Sequence, residues 1–245
     1  MPCGGKGGRS LFPSFCGKKA MEKVRTIKLE RSVLADNDAD ADALRKELKQ
    51  KRVFLVNVMS SPGSGKTTLL ISLVNRLAKR FRVGVMEADI DSDVDAVKVA
   101  EKADCKAVQL HTGGMCHLDA AMTRQGLLEL GTDGLDVVFL ENVVNLVCPA
   151  EFDTGACLDM TILSVSEGDD KPLKYPLIYQ KCALVLISKL DALPYFPFDI
   201  EKCKQNIRRR NPHSTILPVS AKTGDGMDDV AEWFAKAINN FRESK

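Results

Sequence analysis

The segment Ser60-Ser61-Pro62-Gly63-Ser64-Gly65-Lys66-Thr67 follows directly on the apolar run Val53–Met59 and leads into Thr67–Lys79, whose apolar residues recur at helical spacing. A buried strand that ends in a glycine-rich turn and resumes as a helix is the phosphate-binding loop of an α/β nucleotide-binding fold. Gly63 and Gly65 let the backbone curl until successive N–H groups point at phosphate oxygens, and the helix adds the positive end of its dipole. Ser64 lies between them within the cradle, Lys66 can reach the β- and γ-phosphates, and Thr67, with Thr68 beside it, can offer a hydroxyl to Mg²⁺. Ser60 departs from the usual first glycine. The loop specifies a nucleotide and is silent on the base.

Six further apolar runs have strand character: Val83–Met86, Ala107–Leu110, Asp136–Leu140, Met160–Val165, Leu184–Ile187 and Thr215–Val219. Most are nearly continuous in Val, Ile and Leu, which is what strands buried on both faces of a parallel sheet require. Helical spacing returns between them, as in Met227–Phe241, so the expected fold is a doubly wound, mainly parallel α/β sheet of about seven strands over residues 53–245. A 245-residue chain with 44% hydrophobic residues is large enough for one such core. No apolar run approaches the roughly 18 to 20 residues that span a bilayer, so no membrane partner is expected.

The first part of the chain reads differently. Residues 1–21 hold five glycines and two prolines and no periodic apolar face, and read as a disordered tail. Residues 22–52 read as an N-terminal helical extension, helical from Asp42 to Arg52. Residues 1–52 carry 13 Lys/Arg against 7 Asp/Glu, and the remainder 22 against 26. Solvated charge on a leader accounts for that asymmetry without a nucleic-acid partner. Asp36, Asp38, Asp40, Asp42 and Glu47 match calcium-loop spacing, but Ala41 stands where that loop turns on glycine, so an acidic helix start is the better reading. Eight cysteines without an apolar secretory leader point to a reducing, cytoplasmic compartment.

Base choice falls to two later strand ends, Ser188-Lys189-Leu190-Asp191 and Ser220-Ala221-Lys222. The carboxylate of Asp191 can accept from both N1–H and the exocyclic amine of guanine, a donor pair adenine lacks, so GTP and GDP are the expected ligands. Ser188 stands where such GTPases usually carry Asn or Thr, and a weaker loop-stiffening hydrogen bond is expected. Hydrolysis needs acids near the γ-phosphate. Asp89 after the second strand is read as the Mg²⁺ or water residue, with Asp91 and Asp95 as alternates, and Glu141 fills the slot of the Walker-B acid. With Lys66, Asp89 and Glu141 form the candidate catalytic set.

A second constellation lies on the same rim. Cys116 and His117 follow the third strand and Cys148 the fourth, and consecutive ends of a parallel sheet converge on one edge. The set suits Ni²⁺ or Zn²⁺, although buried cysteines are more often small hydrophobes. Three ligands leave a tetrahedral ion incomplete, to be closed by a second subunit, water or a side chain such as His111.

Taken together, Ser60–Thr68, Cys116-His117-Leu118-Asp119-Ala120, the stretch from Glu141-Asn142-Val143 to Cys148-Pro149, and Glu167-Gly168-Asp169-Asp170-Lys171-Pro172-Leu173-Lys174-Tyr175-Pro176 resemble the HypB family of hydrogenase nickel-incorporation GTPases over about residues 30–240. The resemblance implies a SIMIBI-type P-loop GTPase, of the signal-recognition, MinD and BioD class, that forms a homodimer. It implies a cytoplasmic nickel metallochaperone that works with a HypA-type metallochaperone on the [NiFe]-hydrogenase large subunit, with Cys116, His117 and Cys148 as the metal site near the subunit boundary. Two other readings keep the same residues: a metal carrier with a structural nucleotide site, and a GTPase serving urease-type targets. Cys3 and Cys16 stand alone without histidine, so tight N-terminal nickel binding is not expected. Ala121 occupies a position where some relatives carry a further histidine. Val144 replaces the family's glycine, and a β-branched residue resists glycine-only backbone angles, so altered γ-phosphate sensing is expected.

Overall fold

The computed structural model describes residues 24–28, by their backbone alone, together with 37–89 and 94–244. Eight strands form one sheet: β1 (Val24–Lys28), β2 (Phe54–Ser60), β3 (Val83–Asp89), β4 (Lys106–His111), β5 (Val137–Glu141), β6 (Leu158–Ser164), β7 (Leu184–Ser188) and β8 (Thr215–Pro218). Their order is β1-β4-β3-β5-β2-β6-β7-β8, and every neighbouring pair is parallel. The helices are α1 (Asn37–Lys51), α2 (Lys66–Leu77), α3 (Val94–Lys102), α4 (Ala120–Leu130), α5 (Cys148–Glu151), α6 (Lys171–Lys174), α7 (Pro176–Lys181), α8 (Ile200–Arg208) and α9 (Met227–Glu243).

Strand β2 lies between β5 and β6, and all seven of its residues are buried because helices cover both faces. Phe54, Val56 and Val58 point into a core built with Leu69 and Leu73 of α2 and Phe234 of α9. On the opposite face Leu55 packs in a second core with Leu44 and Leu48 of α1 and Met122 and Leu127 of α4. A third cluster forms around Met59, with Ile178 and Tyr179 of α7 and Ile207 of α8. Each such buried aliphatic side chain contributes about 2 kcal/mol of transfer free energy, before chain entropy is set against it. The arrangement carries the C-terminal ends of β2, β3, β5, β6 and β7 to one edge, where open α/β sheets hold their ligands.

The N-terminal extension is corrected in two ways. Val24–Lys28, expected within a helical extension, is the edge strand β1 and registers Val24 to Ala107 and Lys28 to His111 of β4. Five residues carry too short a pattern to show as a strand, and the pairing comes from the open edge of β4. Helix α1 starts at Asn37 rather than Asp42, with Asp38 and Asp40 in its first turn, where negative charge favours the helix dipole. Asp38, Asp40, Asp42 and Glu47 therefore lie along a helix and do not wrap an ion. The expected tail, Cys3, Cys16, Asp36 and Asp91 lie outside the described residues. Among the described residues no helix is long and apolar enough to cross a membrane.

Candidate functional site

The loop between β2 and α2 is built around two left-handed glycines, Gly63 at φ 71° and Gly65 at φ 87°. A side chain at Gly63 would meet no atom within 4 Å, so the space over the loop is open to a ligand. Gly65 is the N-cap of α2 and no side chain caps that end, which leaves its first N–H groups available to an anion. The loop floors a cleft of about 490 Å³ whose walls include Asp95, Lys98, Glu141 and Val144.

Lys66 is 5% exposed because its ammonium has two partners inside. It lies 3.3 Å from Glu141 Oε1 and donates to the Asn142 carbonyl. Thr67 Oγ1 donates to the same Glu141 oxygen at 3.0 Å. Glu141 Oε2 and the Ser64 hydroxyl are buried without a hydrogen-bond partner among the described residues. Glu87 stands beside Glu141 in the β3–β5 register. Burial first, then the neighbouring Glu141 carboxylate, raises the Glu87 carboxyl well above its ordinary range.

Of the acids proposed to serve hydrolysis, Glu141 and the alternate Asp95 line the cleft. Asp89 ends β3 opposite His111 of β4, and its carbonyl accepts from the Thr112 N–H at 3.1 Å.

The first of the two strand ends expected to read the base closes over the same loop. Ser188 Oγ donates to the Ser64 carbonyl at 2.8 Å, and Lys189, at φ 62°, donates to the Gly63 carbonyl at 2.5 Å. The short Ser188 hydroxyl thus reaches the loop. Ser220 Oγ donates to Asp191 Oδ1 at 2.6 Å, and Lys222 lies 3.7 Å from its other oxygen. The Ser220 hydrogen bond holds the Asp191 carboxyl below its ordinary range, leaving an ionised acceptor. Ala221, between the two, packs against the core beneath.

On the neighbouring part of the rim the Cys116 and Cys148 thiols meet. The neighbouring Cys116 thiol, ahead of burial, raises the Cys148 pKa. Asn145 Nδ2 lies 3.6 Å from Cys148 Sγ. His117 Nδ1 is 3.9 Å from Cys116 Sγ, while its ring stacks on Phe152 with centroids 3.5 Å apart. Burial lowers the His117 pKa and keeps the imidazole neutral, the state in which it can bind a metal. Among the described residues no three His, Cys, Asp or Glu side chains form a cluster that holds an ion, His111 included. One chain thus assembles the thiol pair and leaves the third ligand on an aromatic face. Asp119, inside the same motif, caps α4 by accepting from the Met122 N–H at 2.8 Å.

Residues 54–218 match the family model for the CobW/HypB/UreG nucleotide-binding domain. The hydrogenase maturation factor HypB of Rhizobium leguminosarum bv. viciae is 41% identical over 213 residues, covering 87% of this chain and 71% of the relative. The chain belongs to the HypB family. Crystallised HypB from Helicobacter pylori, in complex with nickel, superposes with a TM-score of 0.79 at 33% identity, covering 86% of this chain and 99% of that one. The signal recognition particle receptor FtsY from Elizabethkingia anophelis, bound to GDP, shares the fold at a TM-score of 0.52 and 13% identity over 84% of this chain and 73% of its own. The fold is therefore the doubly wound, parallel α/β nucleotide-binding domain that the sequence suggested.

Set against the HypB pattern, Val144 does not occupy a glycine-only conformation, since the non-glycine residues with positive φ among those described are Arg52 and Lys189. Val144 lines the cleft. Several site residues had no role in the sequence reading. Glu87, a buried carboxyl in a mostly apolar strand whose other acid is the terminal Asp89, carried a legible signal. Asn37 carried none, because its importance lies in two distant partners: it accepts from the Ala120 N–H at 2.9 Å and donates to the Asp153 carbonyl at 3.0 Å. It thereby ties together the segments that follow Cys116-His117 and Cys148.

Proposed function

We propose that this chain hydrolyses GTP, with Mg²⁺, and uses the nucleotide state to bind and release nickel during [NiFe]-hydrogenase maturation. The observation that carries the reading is the segment from Glu141 to Cys148. It begins on residues in contact with Lys66 and Thr67 and ends on a thiol in contact with Cys116. One short piece of chain thus has a phosphate-sensing end and a metal-binding end.

In this reading Gly63, Ser64, Gly65, Lys66, Thr67 and Thr68 hold the triphosphate, and Asp191, steadied by Ser220 and Lys222, selects guanine. Lys189 braces the loop from the base side. Thr67 and Glu141, with Asp89 in support, would hold Mg²⁺, which when bound draws charge from the β- and γ-phosphates. Lys66, Asp89 and Glu141 remain the catalytic set, and Asp95 is placed on the cleft wall to orient water. Among the described residues no arginine lines the cleft, and turnover is expected to be slow. Ni²⁺ is the cargo, with Zn²⁺ as a competing occupant. Cys116 and Cys148 supply the first two ligands; His117 completes the set after leaving Phe152, or the same residues of a second copy do so in a homodimer. A HypA-type metallochaperone and the hydrogenase large subunit are the proposed partners, in the cytoplasm.

Calorimetric titration of nickel into the wild type and Cys116→Ala, each with GDP and with a non-hydrolysable GTP analogue, tests this directly. The wild type should show nickel affinities that differ between nucleotides, and Cys116→Ala should lose the site. Equal affinities in both nucleotide states would refute the coupling. Absence of phosphate release from Mg²⁺-GTP in wild type, or its persistence in Lys66→Ala, would refute the enzymatic half.

A further inference from the structure

Asn57 is a polar residue in the middle of the central strand, 1% exposed, with apolar neighbours along that face. Strand alternation puts it on the same face as Leu55 and Met59, at the seam between the second and third cores. A buried amide there needs partners, and it has two. Its Oδ1 accepts from Asn142 Nδ2 at 3.0 Å, and its Nδ2 donates to Asp159 Oδ1 on β6 at 2.8 Å. The Asp159 oxygen fixes which end of the Asn57 amide faces Asn142, because it takes the amide's nitrogen, the end that only donates, and leaves Oδ1 for Asn142.

Asn142 is fully buried and held at every polar group. Its N–H donates to the Val58 carbonyl at 3.0 Å, and its Oδ1 accepts from the Val143 N–H at 2.8 Å. Its carbonyl accepts from Lys66. The Lys66 ammonium is also what the phosphates require, so an arriving triphosphate competes with the Asn142 carbonyl for it. Loss or redirection of that bond pulls on the peptide between Asn142 and Val143. The side chain of Asn142 stays pinned to Asn57 and the sheet, so the displacement passes forward to residues 143–148 and does not dissipate sideways.

We infer that Asn57, oriented by Asp159, is the positioning residue that makes Asn142 a fixed pivot between the Lys66–phosphate contact and the loop bearing Cys148. The inference rests on the proposed reading of Lys66 as the phosphate contact and Cys148 as a metal ligand, and adds the residue pair that transmits between them. Neither Asn57 nor Asp159 touches nucleotide or metal.

The test compares the ratio of nickel dissociation constants with GDP and with a GTP analogue across three variants of the full chain. Asn57→Leu keeps the volume and removes both hydrogen bonds; the ratio should fall to within about twofold of one, while GTP-analogue affinity stays within about threefold of wild type. Asn57→Asp alone sets two carboxylates against each other and should weaken the ratio. Asn57→Asp with Asp159→Asn restores both hydrogen bonds with the polarity exchanged, since the carboxylate at position 57 would accept from Asn142 and from the amide introduced at position 159, and should recover the wild-type ratio. A residue needed only for packing would instead tolerate leucine and gain nothing from the exchange. If Asn57→Leu fails to fold, the comparison of Asn57→Asp with the double variant still decides. Wild-type coupling in Asn57→Leu, or a double variant no better than Asn57→Asp, overturns the pivot and leaves the proposed function standing. A wild-type ratio of one overturns both.

Discussion

Asn37 offers a quantitative test of how the N-terminal helix supports the thiol-bearing rim. The side chain is 8% exposed, its two hydrogen bonds reach partners 83 and 116 residues away, and both partners are backbone groups at the ends of loops. Asn37→Ala leaves the Ala120 N–H and the Asp153 carbonyl without those bonds. At about 1 kcal/mol for each buried hydrogen bond, the loss is about 2 kcal/mol. In a domain of this size each kcal/mol moves the melting temperature by about 2–4 °C, so the expected fall is about 4–8 °C. Asn37→Asp keeps an acceptor for Ala120 and discards the donor, and its charge sits favourably at the starts of α1 and α4, so it should fall between wild type and alanine. Urea unfolding is the appropriate assay: the midpoint should drop with the slope unchanged, since the surface exposed on unfolding is the same. Nickel affinity measured in parallel should weaken, because Asn37 holds the two ligand-bearing segments to each other. Both variants lying within about 0.5 kcal/mol of wild type would show that the two bonds are not structural ties, and the argument would be wrong.

Three further outcomes are expected. Burial pushes the thiols of Cys105 and Cys203 up to about 12, against an ordinary 9.0, so peptide mapping after iodoacetamide at pH 8 should find Cys116 alkylated well ahead of both; early labelling of Cys203 would contradict the packing of α8. Asp191→Asn replaces an acceptor by a donor toward the base, so nucleotide binding assays should show GTP affinity falling by at least tenfold and xanthosine triphosphate, which carries a carbonyl at that position, gaining; unchanged GTP affinity would remove Asp191 from the site. Burial raises the Asp159 pKa above 3.8 despite the Asn57 hydrogen bond, so the folded state binds more protons than the unfolded state between the two values. Stability attributable to this group therefore falls as pH rises through that window, and Asp159→Asn should be at least as stable as wild type at pH 7; a clearly lower urea midpoint for the variant at pH 7 would reverse that sign.

How much of this was legible beforehand depended on the range of the interactions. The phosphate loop, the buried parallel strands and the strand-end motifs at Asp191 and Ser220 are local: each is dictated by residues adjacent in the chain, through glycine's tolerance of positive φ, the continuous apolar character of strands covered on both faces, and the hydrogen-bonding inventory of a carboxylate. These follow from the order of residues alone, along with the placement of thiols and phosphate ligands on one rim. Other features depend on which strands become neighbours. The edge strand Val24–Lys28 exists because β4 presents an open edge, the raised pKa of Glu87 follows from its burial inside the sheet and then from its register with Glu141, and the polar chain Asp159–Asn57–Asn142 requires β6, β2 and β5 to lie side by side. The same holds for the thiols: Cys116 and Cys148 come together only in the fold, and His117 stacks on Phe152, 35 positions further along the chain. Energies that depend on distances between residues a hundred positions apart have no counterpart in local pattern, and only the assembled sheet sets them.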